Sequence, residues 1–110
     1  MVRRDPQRLD DIVIASTQIA EYLAQDDEAD QDMVFDAIRM RLIEIGEAVK
    51  ALSPEIRDAY PDVRWSDATR TRDLMAHHYF DTVREVVFES ARDGVPVLRE
   101  SVERIIRDRG

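Results

Sequence analysis

The chain reads as an all-α protein, an up-down bundle of four or five helices in one domain spanning residues 1–110. Three observations predict this. Apolar residues recur at helical spacing along most of the chain, with Phe35, Ile38, Leu42, Ile45, Val49 and Leu52 in a 3-4-3-4-3 pattern. Glycines and prolines are few, 3 and 4 of 110 residues, too sparse for the turns of an all-β chain. Charged residues make up 36% of the chain and fall between the apolar positions, as on the solvated faces of helices.

Taken in order, Asp5-Pro6 predicts a helix start, with aspartate as N-cap and proline at the first helical position. Leu9, Ile12, Val13, Ile19 and Leu23 form its apolar face. The acidic run Gln25-Asp26-Asp27-Glu28 ends it as a solvated loop, lacking the glycine turn and ligand spacing of a calcium loop. The second helix runs from Asp30 or Gln31 to Leu52 and carries the seam above. A second stripe, Met33, Met40 and Ile43, makes it apolar on another side, where a partner chain in an antiparallel homodimer is expected. Gly46 costs helix stability relative to alanine, so it is expected to permit close packing.

Ser53-Pro54 stops the second helix, and Glu55 to Tyr60 forms a short turn of helix closed by Pro61. Ser66 is expected to cap the third long helix, with Asp67 in its first turn where the helix dipole favours a negative charge. Asp81 is expected to cap a fourth, with Val83, Val86, Val87 and Ala91 inward. Asp93-Gly94 signals a turn, and Pro96 opens a last helix with Val95, Leu98, Val102, Ile105 and Ile106 on its apolar face.

The bulk numbers exclude several classes. No cysteine is present, which rules out disulfides and thiolate metal ligands and points to the cytoplasm. No apolar region follows the N-terminal residues, so no signal peptide is expected, and no run approaches the roughly 20 apolar residues of a membrane helix. The net charge of -8 argues against a generic nucleic-acid binder. The charge is uneven, however. Residues 1–50 hold six basic and twelve acidic residues, and residues 51–110 hold ten and twelve.

The chemistry concentrates in Arg72-Asp73-Leu74-Met75-Ala76-His77-His78-Tyr79, which contains the only two histidines, with Arg64, Arg70 and Arg84 nearby in sequence. RNA cleavage without a metal needs a base for the ribose 2′-OH, an acid for the leaving oxygen and a cation for the pentavalent phosphate. His77 can serve as base or acid, and Arg72 can clamp phosphate oxygens with its fork of donors. One such stretch supplies one imidazole to the pair. Completing it takes His78, or the same stretch from a second chain. On an ideal helix Arg72 and His77 point about 140° apart, so the helix tightens or ends near His77, or the two meet across chains. Adjacent histidines point apart on a helix and do not suit one metal ion, so no metal and no cofactor are expected.

These residues resemble the HepT-like ribonucleases of the HEPN superfamily, the toxin halves of HEPN–MNT toxin–antitoxin pairs. Ala37-Ile38-Arg39 through Leu42-Ile43-Glu44-Ile45-Gly46-Glu47-Ala48 is similar to the family's second helix. Trp65 stands seven residues before Arg72, and Arg72-x4-His77-x-Tyr79 matches the family signature. The resemblance implies a dimerising HEPN helical bundle and a metal-independent endoribonuclease acting on tRNA or mRNA, not DNA. It implies Arg72 and His77 as catalytic residues in a cleft at the dimer interface. Tyr79 matches the tyrosine to which the partner MNT nucleotidyltransferase antitoxin transfers AMP from ATP. Asp73 replaces the family's usual asparagine, which puts a carboxylate beside Arg72 that can weaken its grip on phosphate, orient His77 or raise its pKa. His78 stands where the family often has an acidic residue, and Ala68-Thr69-Arg70-Thr71 is more polar than the usual run. Two other readings compete: a non-catalytic HEPN subunit that docks a minimal nucleotidyltransferase and presents Tyr79 to it, and a purely structural helical dimer.

Overall fold

The computed structural model describes residues 4–25, 31–75 and 80–109, the side chains of residues 80–83 excepted. Six α-helices account for most of these residues: α1 (Asp5–Ala24), α2 (Gln31–Ala51), α3 (Pro54–Ala59), α4 (Trp65–Met75), α5 (Phe80–Glu89) and α6 (Val95–Arg109). No strand occurs among the described residues. The fold is the expected all-α bundle.

Helix α2 is its central member and packs on α1, α4 and α5, while α1 also packs on α6. Two helices of 20 and 21 residues, joined by residues 25–30 and packed along each other, must run antiparallel. The predicted α2 seam is buried in full. Ile38 and Val49 are inaccessible, and Phe35, Leu42, Ile45 and Leu52 are nearly so. Each such side chain favours folding by about 1.5–3 kcal/mol of apolar burial. Leu9, Ile12 and Ile19 of α1 and Leu98, Val102 and Ile105 of α6 join the same core, with Val13, Leu23, Val86 and Ile106 half-buried at its margin. The second α2 stripe divides: Ile43 packs against the core, whereas Met33 and Met40 are exposed.

Several local expectations change. Arg4, not Asp5, is the N-cap of α1, and its N–H donates to Gln7 Oε1 at 2.9 Å. The Asp5 carboxylate accepts instead from the backbone N–H and the hydroxyl of Ser53, across the fold at the α2–α3 junction. A capping aspartate was thus diverted by a tertiary partner. Ser66 lies within α4, which starts at Trp65, because Trp65 is buried and its indole N–H donates to the Tyr60 carbonyl at 3.1 Å, fixing the helix entry. Asp81 lies one residue inside α5.

The Asp93-Gly94 turn does not form. Residues Ser90–Gly94 make a π-helical turn that carries α5 directly into α6, with the Val95 N–H donating to the Ser90 carbonyl five residues back. The physical reason is Pro96. A proline inside a helix lacks its N–H and its ring collides with the carbonyl four residues earlier. The wider π turn just before it relieves that collision without breaking the rod.

Asp5 is a testable point. The Ser53 hydroxyl holds its carboxyl below the usual value of 3.8, against the opposing effect of burial, with further help from the Ser53 N–H and the positive Arg109. A depressed folded-state pKa contributes stability that is present above the unfolded value and lost as pH falls through the folded one. Asp5→Ala is therefore expected to cost about 1 kcal/mol near pH 7. In urea unfolding at several pH values, its deficit against the parent should shrink below about pH 4.

Candidate functional site

Helix α4 reaches the site by lying close against α2. The contact centres on Gly46, where an added Cβ would overlap Arg72 Cβ and come within 2.8 Å of Arg72 Cγ and 3.0 Å of the Ala68 carbonyl oxygen. The expected close approach at Gly46 is real, and what approaches is the candidate arginine itself. Two other features let so polar a helix pack. Thr71 Oγ1 donates to the Asp67 carbonyl at 2.8 Å, and Thr69 Oγ1 to the Ser66 carbonyl at 3.1 Å, so both hydroxyls are satisfied on their own helix. Arg39 of α2 donates through Nη2 to the Met75 carbonyl at 2.9 Å, supplying a partner for a carbonyl in the last described turn of α4.

Arg72 stands in that last turn with about a third of its side chain exposed. Its Nη1 donates to Asp73 Oδ1 at 3.2 Å, and its Nη2 lies 3.7 Å from Glu47 Oε1 on α2. Asp73 Oδ1 also accepts from Lys50 Nζ at 2.6 Å. One carboxylate oxygen therefore joins two cations from two helices. Lys50's hydrogen bond lowers the Asp73 pKa most, against an opposing effect of desolvation, and Arg72's hydrogen bond lowers it further. Asp73 is accordingly a carboxylate at any pH near neutrality.

His77, His78 and Tyr79 lie outside the described residues. Of the candidate residues, the structure brings Arg72 and Asp73 together. It adds Lys50, Glu47 and Arg39, which the sequence reading did not single out. A signal for them exists. Arg39, Gly46 and Lys50 fall within about 40° of one another around α2, so the helix face that loses a side chain at Gly46 carries cations on either side of it. Among the described residues no group of three or more histidines, aspartates and glutamates could hold a metal ion. A groove of about 700 Å³ between α4 and the α5–α6 rod is walled by Leu42, Ile45, Leu74, Val86 and Leu98 and does not include Arg72, Asp73 or Lys50. The charged cluster is open surface, suited to an extended anionic chain more than to an enclosed small molecule.

The sequence model of the family described as Ribonuclease HepT-like matches residues 12–105. A candidate RNase of Methanocaldococcus jannaschii is 36% identical over 87 residues, covering 70% of this chain and 72% of that protein. A second candidate RNase of the same organism is 36% identical over 64 residues, covering 58% of this chain and 55% of the relative. A candidate ribonuclease HepT of Thermococcus cleftensis is 28% identical over 109 residues, covering 96% of this chain and 98% of that protein. No solved structure matches significantly.

The Gly46 contact predicts a specific failure. Gly46→Ala gains helix propensity but forces a methyl into Arg72 and the α4 backbone. Overpacking of this kind costs about 1–3 kcal/mol. Thermal unfolding of the variant should therefore fall by several degrees, roughly 4–8 °C per kcal/mol lost in a domain of this size.

Proposed function

Because the chain belongs to the HepT-like ribonuclease family, we propose that it is a metal-independent endoribonuclease in which Arg72 and His77 carry the chemistry. The observation that supports this best is the seating of Arg72. Gly46 brings its helix against α2, and its guanidinium reaches the surface at the end of α4, immediately before the segment that holds His77. Arg72 offsets the charge that builds on the phosphorus as the ribose 2′-oxygen attacks. His77 takes the 2′-OH proton or delivers one to the departing 5′-oxygen. The complementary proton transfer falls to His78 or to His77 of a second chain. The requirement for a 2′-OH selects RNA, as tRNA or mRNA, over DNA. Asp73 pairs with Arg72.

In this reading two copies of the 110-residue HEPN unit associate, with exposed Met33 and Met40, seven residues apart on α2, available for a partner. The chain acts in the cytoplasm as a toxin held silent by an MNT nucleotidyltransferase antitoxin. AMP transferred from ATP to Tyr79 would set a bulky anion beside Arg72 and His77 and repel RNA. Among the described residues, no helix is long and apolar enough to cross a membrane.

A second reading keeps the family but not the catalysis: a binding subunit that presents Tyr79 to the nucleotidyltransferase. It is favoured by the carboxylates of Asp73 and Glu47 already paired with Arg72.

The test is cleavage of purified total tRNA and a model mRNA in EDTA by unmodified protein, Arg72→Ala and His77→Ala, with folding checked by circular dichroism. The parent should cleave, and each folded variant should lose at least about a hundredfold in rate. Equal cleavage by all three would sink the assignment of both residues. Cleavage by none, with no AMP on Tyr79 by mass spectrometry, would favour the binding subunit.

A further inference from the structure

We propose that Lys50 and Arg72 form a two-cation seat for an RNA phosphate, and that the Asp73 carboxylate occupies this seat until RNA displaces it. The inference rests on the ribonuclease reading above and adds to it a substrate-binding residue, Lys50, and a role for Asp73.

The geometry is that of an anion site with an anion already in it. Lys50 Nζ and Arg72 Nη1 both donate to the single atom Asp73 Oδ1, at 2.6 and 3.2 Å. The two nitrogens are therefore no more than 5.8 Å apart, the sum of those two distances. That is close enough for both to grip one phosphate. The pairing of residue types suits the task. Arginine offers a planar fork of donors to phosphate oxygens, and lysine a compact charge that can approach from any direction. The two cations come from different helices, and the spacing between them is fixed by the contact of Gly46 with Arg72, which no side chain at position 46 would allow.

Asp73 is a removable occupant. Its side chain and that of Lys50 are each about half exposed, at 52% and 44%. An ion pair so exposed is a weak bond, screened by salt and water. A polyanion competes with it effectively, since each phosphate that binds a cation also releases condensed counterions. Glu47 lies 3.7 Å from the other terminal nitrogen of the guanidinium and can stay there while Asp73 leaves, because its contact uses Nη2 and not Nη1. The arrangement also accounts for a chain of net charge -8 engaging RNA. It needs no broad basic surface, only a local pair of cations kept neutral until an RNA strand arrives.

The experiment measures binding apart from cleavage. A fluorescent, fully 2′-O-methylated RNA oligonucleotide, which lacks the attacking hydroxyl, is titrated with the parent, Lys50→Gln, Lys50→Arg and Asp73→Asn by anisotropy at several salt concentrations. Lys50→Gln should weaken binding several-fold and reduce the salt slope by about one. Lys50→Arg should restore most of both. Asp73→Asn should bind several-fold tighter. Both positions of change are exposed, and circular dichroism checks that each variant is folded. Unchanged affinity and salt slope in Lys50→Gln, or no binding by the parent at low salt, overturns the seat. Unchanged affinity in Asp73→Asn overturns its role as occupant. Unmethylated RNA assayed in parallel separates the two levels. A parent that cleaves but is indifferent to Lys50 keeps the ribonuclease reading and loses the seat. Lys50-dependent binding without cleavage keeps the seat and loses the ribonuclease reading.

Discussion

The contact between Gly46 and Arg72 is the constraint on which the rest of the site depends. Glycine in the middle of a 21-residue helix is locally unfavourable by about 1 kcal/mol relative to alanine. Here the missing Cβ is the space into which Arg72 Cβ and Cγ fit, with the α4 backbone at Ala68 directly behind. Any side chain at position 46 would push α4 outward. The guanidinium would then part from Glu47, and the Asp73 carboxylate beside it from Lys50. A local loss in helix stability thus sets the position of the candidate arginine.

The same helix organises the core. The seam from Phe35 to Leu52 is buried, while the face beside it carries Arg39, Gly46 and Lys50 toward α4. This division of α2 into a core-packing face and a charged face lets a small bundle hold an exposed charged cluster in fixed geometry. The scaffold is secured just beyond the C-terminus of α2 as well, where Asp5 of α1 ties down Ser53 before α3.

Much of this was legible in the sequence, because it depends on periodicity. The 3-4-3-4-3 seam of α2 and the apolar faces of α1 and α6 follow from spacing alone, and all lie in one core. Arg72 stood out as a candidate from its place in the Arg-x4-His stretch, and the close packing at Gly46 was legible from its cost in a helix. The failures share a cause. Asp5, Ser66 and Asp93-Gly94 carry strong local signals, yet each was overridden by something distant or by a neighbour's sterics. Ser53 recruits Asp5, buried Trp65 sets the start of α4, and Pro96 is accommodated by a π turn rather than a chain reversal. Lys50 was missed because its significance lies in a partner 23 residues away on another helix. No one-dimensional pattern states which carboxylate a lysine will meet.

The central claim is that this chain cleaves RNA through the ribose 2′-oxygen, with Arg72 bearing the phosphate charge. The most direct measurement is cleavage in EDTA of one RNA carrying a single 2′-O-methyl group at the position the parent protein cuts, compared with the unmethylated strand. The account predicts that the methyl group abolishes cleavage at that bond alone, and that the unmethylated strand yields 2′,3′-cyclic phosphate and 5′-hydroxyl ends. Equal cleavage of both strands would show that water, and not the 2′-oxygen, attacks the phosphorus, and would contradict it.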